Sequence, residues 1–307
     1  MKKSFYSNGK LLLTGEYVVL DGATALSLPT KFGQWLDIEA SEDGKIHWKS
    51  LDHNGNAWFE EKWQFDGEKF TSEAKYENDK ISAKLQEILM EAHKMNPEIL
   101  SKNAGFSIHT RLNFPRNWGL GTSSTLVNNI ADWFQIDAYE LQEKTFGGSG
   151  FDIASAKNDT PVSYLRTSEG RTVLSAAFYP KFKDEIFFVF LNRKQNSRTS
   201  ISHYKKHSKM PFLDSIEKIS GITFQMIHCE NIAAFEILLD VHETLISRVI
   251  DTPKIKSRLF PDYPRAIKSL GGWGGDFILA TGGEAEKEYF RSKGFSVILD
   301  YDEMILG

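Results

Sequence analysis

Residues 114–124 read Phe-Pro-Arg-Asn-Trp-Gly-Leu-Gly-Thr-Ser-Ser. Just before it, Phe106, Ile108 and Leu112 suggest a strand. Just after it, Leu126, Ile130, Trp133 and Phe134 recur at helical intervals. The segment is therefore a strand, a glycine-containing loop and the start of a helix. The first N–H groups of a helix have no internal partners, and the helix dipole makes that end positive. Gly119 and Gly121 let backbone approach a bound group closely, so the run Gly119, Leu120, Gly121, Thr122, Ser123, Ser124 suits a phosphate. It equally suits an ordinary helix start capped by Thr122 or Ser123. No Gly-Lys-Ser/Thr ending follows, which excludes a Walker A loop, and the dinucleotide fingerprint is absent too.

Working outward, residues 34–76 alternate apolar and polar, with turn signals at Asp43-Gly44, Asn54-Gly55 and Asp66-Gly67. They predict antiparallel strands. Ile81, Leu85, Ile88, Leu89 and Ala92 predict a helix. Nearer the N-terminus, residues 10–13 and 17–20 flank Thr14-Gly15-Glu16 and read as a hairpin or strand–loop–strand. Toward the C-terminus, residues 138–146 form a short helix that Gly147-Gly148-Ser149-Gly150 breaks, and Asp152 opens a new segment. Strands are expected at 162–165, 186–191, 277–280 and 295–299, and helices over 216–250, with a shift in phase, and over 284–292. Strands and helices mix without strict alternation, so the fold class is α+β rather than a doubly wound parallel sheet.

The chain has 307 residues, 37 Lys plus Arg and 41 Asp plus Glu, for a net charge of −4. That balance lacks the basic surplus that coating nucleic acid requires. A hydrophobic fraction of 41% excludes disorder for the bulk of the chain. The single Cys229 excludes an internal disulfide and a multi-cysteine metal site, and it suits a reducing compartment. Residues 186–191 form the longest notable apolar run, far short of the ~20 that span a bilayer, and the N-terminus has no signal-peptide core. We expect a soluble cytoplasmic protein acting on a small molecule, with no nucleic acid or membrane partner and with a homodimer left open. The 22 Phe, 10 Tyr and 7 Trp suit a ring-rich core and interface better than a cofactor box.

Several residues carry candidate chemistry, each beside a plainer role. Asp152, after its glycines, suits the acceptance of a substrate proton or a helix N-cap. Glu143 with a serine hydroxyl suits Mg²⁺, or is a solvated helix residue. Lys10, beside Gly9, is by itself a surface lysine. The stretch 271–275, with four glycines around Trp273, clears room for a ligand or makes a tight turn. The stretch 193–199, with Arg193, Lys194 and Arg198, binds anions or is a solvated loop. His203 and His207 lack the acidic partner of a zinc motif.

Taken in order, these pieces resemble the GHMP kinases. Residues 9–22, Gly-Lys-Leu-Leu-Leu-Thr-Gly-Glu-Tyr-Val-Val-Leu-Asp-Gly, look like the first family motif, and 115–124 look like the phosphate loop. Residues 149–154, Ser-Gly-Phe-Asp-Ile-Ala, resemble the segment of the catalytic aspartate, 192–199 a substrate-side loop, and 271–275 the third motif. The resemblance implies two domains, 1–180 similar to ribosomal protein S5 domain 2 and 181–307 ferredoxin-like. It implies ATP with its phosphates on 119–124, and Mg²⁺ held by Ser123 and Glu143. It also implies Asp152 and Lys10 as catalytic residues, and Glu16, Ser149, Lys194 and Thr199 on the substrate side. The sequence is most similar to the phosphomevalonate and mevalonate kinase branch, which implies transfer of the γ-phosphoryl group to a hydroxyl or phosphate acceptor in isoprenoid synthesis. Two alternatives stay open: a catalytically silent binding or regulatory protein of this fold, and an enzyme like diphosphomevalonate decarboxylase. Trp273 and Asp276 depart from the glycine pattern of the third motif, and Lys157-Asn158-Asp159 replaces a glycine pair.

Overall fold

The structure is a computed structural model and describes residues 2–72, 80–102, 104–192, 204, 213–273 and 275–307. In chain order the strands are β1 Lys3–Thr14, β2 Ala25–Ser41, β3 Ile46–Leu51, β4 Ala57–Phe65, β5 Phe70–Ser72, β6 Gly105–Leu112, β7 Val162–Thr167, β8 Gly170–Ser175, β9 Ile186–Phe190, β10 Ile267–Ser269, β11 Phe277–Thr281 and β12 Ile298–Asp300. The helices are α1 Lys80–Met95, α2 Thr122–Phe134, α3 Ala138–Thr145, α4 Phe151–Lys157, α5 Leu213–Ile227, α6 Ile232–Val249, α7 Ile255–Leu259, α8 Glu284–Ser292 and α9 Tyr301–Met304. The fold class is α+β. No helix among the described residues is long and apolar enough to cross a membrane.

The chain forms two compact units that interleave in sequence. One comprises Met1–Gly9, Phe32–Arg116 and Gly121–Lys157, and the other Lys10–Lys31, Asn117–Leu120 and Asn158–Gly307. This differs from the in-order division into 1–180 and 181–307. The physical reason is that the N-terminal residues 10–31 and the short piece 117–120 pack with the C-terminal half of the chain rather than with their sequence neighbours.

In the first unit β3 pairs antiparallel with β4 and parallel with β6, β4 pairs with β5, and β6 pairs with residues 34–41 of β2. The period-2 pattern decides which face is buried. Ile46, Trp48 and Ser50 are buried while His47 and Lys49 between them are only partly so. The buried face packs on α1, α2 and α3 through Trp48, Trp63, Phe65, Leu85, Ile88, Leu89, Ile130 and Phe134. Of the rings in the described part of the aromatic-rich stretch 35–76, Trp48, Trp63 and Phe65 are fully buried in this core. Asn54-Gly55 and Asp66-Gly67 turn the β3–β4 and β4–β5 hairpins, while Asp43-Gly44 joins β2 and β3, which β6 separates in the sheet; Gly44, Gly55 and Gly67 all take positive φ.

In the second unit β10, β11, β9 and β12 form an antiparallel sheet in that order. One core gathers Phe187, Val189, Ile267 and Ile278 with Phe260 and Phe290 from the helical side. A second core joins Tyr17, Val18, Ile219, Ile246 and Trp273. The β7–β8 hairpin and residues 25–27 of β2 pair alongside one another. Residues 17–20, expected as strand, are instead part of a single 3₁₀ turn over Val18–Asp21. The cause is a tight turn at Tyr17 (φ 63°, ψ −53°), where the Val18 N–H bonds to the Glu16 carbonyl at 2.8 Å. That is a γ-turn of the rare positive-φ kind.

Candidate active site

In the first unit α2 begins at Gly121, whose φ of 93° turns the chain into the helix without any side-chain cap. The Ser124 hydroxyl donates to the Gly121 carbonyl at 2.8 Å and is buried, so Ser124 locks the helix start and offers a ligand only its backbone. Ser123 is exposed and Thr122 half-buried, which leaves their hydroxyls on the accessible side. Beside its apolar core residues, the buried side of α2 carries polar ones. Thr125 Oγ1 bonds to Gln34 Oε1 at 2.7 Å, Asn129 Nδ2 donates to the Gln34 carbonyl at 2.9 Å, and the Ser7 hydroxyl donates to Asn129 Oδ1 at 2.7 Å. These side chains fix the helix on the sheet, and apolar periodicity did not reveal them. An uncapped helix start with glycine backbone fits a phosphate.

Asp152 lies in the first turn of α4. Gly147, Gly148 and Gly150 before it all have positive φ, and this reverses the chain sharply after α3. The reversal brings Asp152 under Gln142 of α3, whose Nε2 donates to both carboxylate oxygens, at 3.1 and 3.3 Å. Gln142 is buried, so the carboxylate is held in one orientation by a neutral donor. Gln142 was not anticipated; its only signal was its place on a helix ten residues before the aspartate. Ser149 is buried within the glycine loop. Glu143 follows Gln142 on α3 and is exposed. Among the described residues no group of three or more His, Cys, Asp or Glu is placed to hold a metal. Ser123 and Glu143, the two residues expected to hold Mg²⁺, are both exposed.

In the second unit the Lys10 N–H donates to the Leu120 carbonyl at 3.0 Å, which ties the first motif to the loop. Leu120 is fully buried and presents only backbone. Trp118 packs edge-on against Phe277, with centroids 5.4 Å apart, and Gly119 has φ 70°.

Glu16 requires a correction. Expected on the substrate side, it is 1% exposed and forms a buried ion pair with Lys268, itself 0% exposed. Lys268 Nζ is 3.6 Å from Glu243 Oε1 and donates to the Ser269 carbonyl at 2.9 Å. Glu243 in turn accepts from the Ser269 N–H and hydroxyl, at 3.1 and 3.2 Å. His242 Nε2 accepts from the Gly15 N–H at 3.1 Å and lies 3.4 Å from Glu16. The reason for the difference is the γ-turn, which points Glu16 inward where one lysine serves two carboxylates. Burial pushes the Glu16 carboxyl up, against the pull of Lys268, and pushes Glu243 up to about 7. Burial and then the Lys268 charge hold His242 neutral, well below its ordinary range. Lys194 and Thr199 lie outside the described residues.

The raised Glu243 carries a pH prediction. Its carboxyl keeps a proton in the folded chain that the unfolded chain loses near 4.5. Its contribution to stability is therefore full below 4.5 and declines as pH rises to about 7. His242 acts in the opposite sense below its ordinary 6.5, so the informative comparison is between variants. Glu243→Gln keeps the neutral shape. Relative to wild type, its melting temperature should rise progressively between about pH 5 and about pH 7 and hold a constant advantage above that. A variant that tracks wild type across this range would contradict the assignment.

No protein-family model matches the sequence, and no curated protein matches it. Solved structures do match over nearly the whole chain. The mevalonate kinase of Methanococcus jannaschii aligns with a TM-score of 0.70 at 14% identity, covering 100% of this chain and 99% of its own. The Streptococcus pneumoniae phosphomevalonate kinase in complex with phosphomevalonate and AMPPNP gives 0.70 at 14% identity, covering 97% and 99%. The Lactococcus lactis galactokinase complexed with galactose gives 0.64 at 12%, covering 95% and 88%. The fold of this chain is that of the GHMP kinases.

Proposed function

We propose that the chain is an ATP-dependent phosphotransferase that moves the γ-phosphoryl group to a hydroxyl or phosphate oxygen of a small molecule. Phosphomevalonate and mevalonate are the first acceptors to test. The observation that carries this reading is the Asp152 carboxylate, held through both oxygens by Gln142 at the end of a glycine loop, in a chain of this fold. ATP supplies the phosphoryl group. In this reading Asp152 orients the acceptor and, where that acceptor is a hydroxyl, takes its proton as the new oxygen–phosphorus bond forms and the bond to ADP breaks; an ionised phosphate acceptor has no proton to lose. Lys10 offsets the charge that builds on the transferring group. The backbone of residues 119–124 holds the phosphates, and Ser123 and Glu143 hold Mg²⁺. The lone Cys229 suits a cytoplasmic setting.

A coupled ADP-release assay with Mg-ATP and a panel of phosphomevalonate, mevalonate, homoserine and galactose tests the reading. Acceptor-dependent ADP release supports it and names the substrate. Carbon dioxide release alongside ADP would instead favour the decarboxylase alternative. ATP binding without turnover of any acceptor would favour a silent regulatory protein.

A further inference from the structure

Gln142 follows Leu141, which joins the core, and precedes the exposed Glu143 on α3. Its backbone carbonyl accepts both the Phe146 and the Gly147 N–H, each at 2.8 Å, so the residue is anchored to the chain reversal that leads to Asp152. Its side chain reaches across that reversal. Nε2 donates to Oδ1 and Oδ2 of Asp152, and among the described residues no other hydrogen bond reaches this half-buried carboxylate. The opposite end of the amide is unsatisfied: Oε1 is buried and accepts no hydrogen bond. Gln142 as a whole is 6% exposed. A buried carbonyl left unpaired costs stability, and an apolar side chain of the same length would fill the space without that cost. What an apolar side chain would lack is the bond to Asp152.

We propose that Gln142 is a positioning residue for phosphoryl transfer: it sets the direction of the Asp152 carboxylate toward the acceptor without neutralising it. This rests on the reading of Asp152 given above. A carboxylate on a short side chain turns about two torsions, and each direction it samples away from the acceptor lowers the rate. A donor shared by both oxygens restrains that rotation. The charge of the donor matters as much as its reach. A lysine in this place would form an ion pair and make the carboxylate a poorer proton acceptor, and a glutamate would set a second negative charge against it. An amide restrains the group and leaves its charge unchanged.

Steady-state kinetics and melting curves of wild type, Gln142→Met, Asp152→Asn and the double variant test this, with Mg-ATP and the best acceptor of the panel. Gln142→Met should lower kcat by about 10–100-fold. KM for Mg-ATP should stay within about twofold of wild type. Tm should be equal or higher, because the unpaired carbonyl is gone. In the Asp152→Asn background the same substitution should cost about twofold or less, since its effect passes through the carboxylate. Gln142→Leu takes the place of the Met variant if that one misfolds. Wild-type turnover in the Gln142 variant, or a loss that multiplies in full with that of Asp152→Asn, overturns the role of Gln142 and leaves the phosphotransferase reading standing. A wild type that phosphorylates no acceptor overturns both.

Discussion

Replacing Asp152 with Asn is expected to lower turnover by about 10²–10⁴-fold while leaving nucleotide affinity and melting temperature close to wild type. The size follows from the loss of a positioned proton acceptor, since an amide cannot take the proton of the acceptor oxygen. The selectivity follows from the local structure. Asn has the same shape, Gln142 Nε2 still finds an oxygen to donate to, and the glycine reversal before α4 is untouched. ATP should bind as before because its phosphates are assigned to the 119–124 backbone. Steady-state kinetics with the best acceptor, plus a melting curve, checks both halves. Unchanged turnover would remove Asp152 from the chemistry, and a collapsed melting temperature would assign it a structural role.

Lys268→Met carries the largest expected effect on stability. Lys268 is fully buried and serves Glu16 and Glu243 together. Above about pH 7, where Glu243 is ionised, removing the lysine leaves two buried carboxylates without a counter-charge, and losing one partner of a buried pair costs about 3–5 kcal/mol. Set against a total stability of about 5–15 kcal/mol, that leaves a weakly folded protein. Adding Glu16→Gln and Glu243→Gln to the same chain should recover most of the loss, because the charges that needed Lys268 are then gone. Urea denaturation of the single and triple variants measures this. A single variant within about 1 kcal/mol of wild type would show that the cluster contributes little.

Much of this architecture was legible in the sequence because its causes are local. The loop at 119–124 announced itself through glycines set between a strand and a helical repeat. The Asp-Gly and Asn-Gly turns were read correctly because only a few residue types tolerate their backbone angles. The helix over residues 80–95 followed from a strict apolar period. What escaped the reading depends on partners far away in the chain. Glu16 looked like a motif residue awaiting a substrate, yet its partner Lys268 is 252 positions away. The γ-turn at Tyr17 broke an apolar run that otherwise resembled a strand. Gln142, Gln34 and Asn129 are ordinary polar residues until tertiary packing gives each a partner. The parallel pairing of β3 with β6 is likewise non-local. Trp48 and Trp63 could be read as ring-rich core, but not assigned to the face under α1 and α2.

Phosphoryl transfer to a small acceptor is the proposed reaction. Its most direct test is mass spectrometry of each candidate acceptor after incubation with the enzyme and Mg-ATP, with the Asp152→Asn variant run in parallel. One acceptor should gain a single phosphoryl group with wild type and far less with the variant in the same time. An acceptor phosphorylated equally by both proteins, or none phosphorylated by a wild type that binds Mg-ATP, would contradict it.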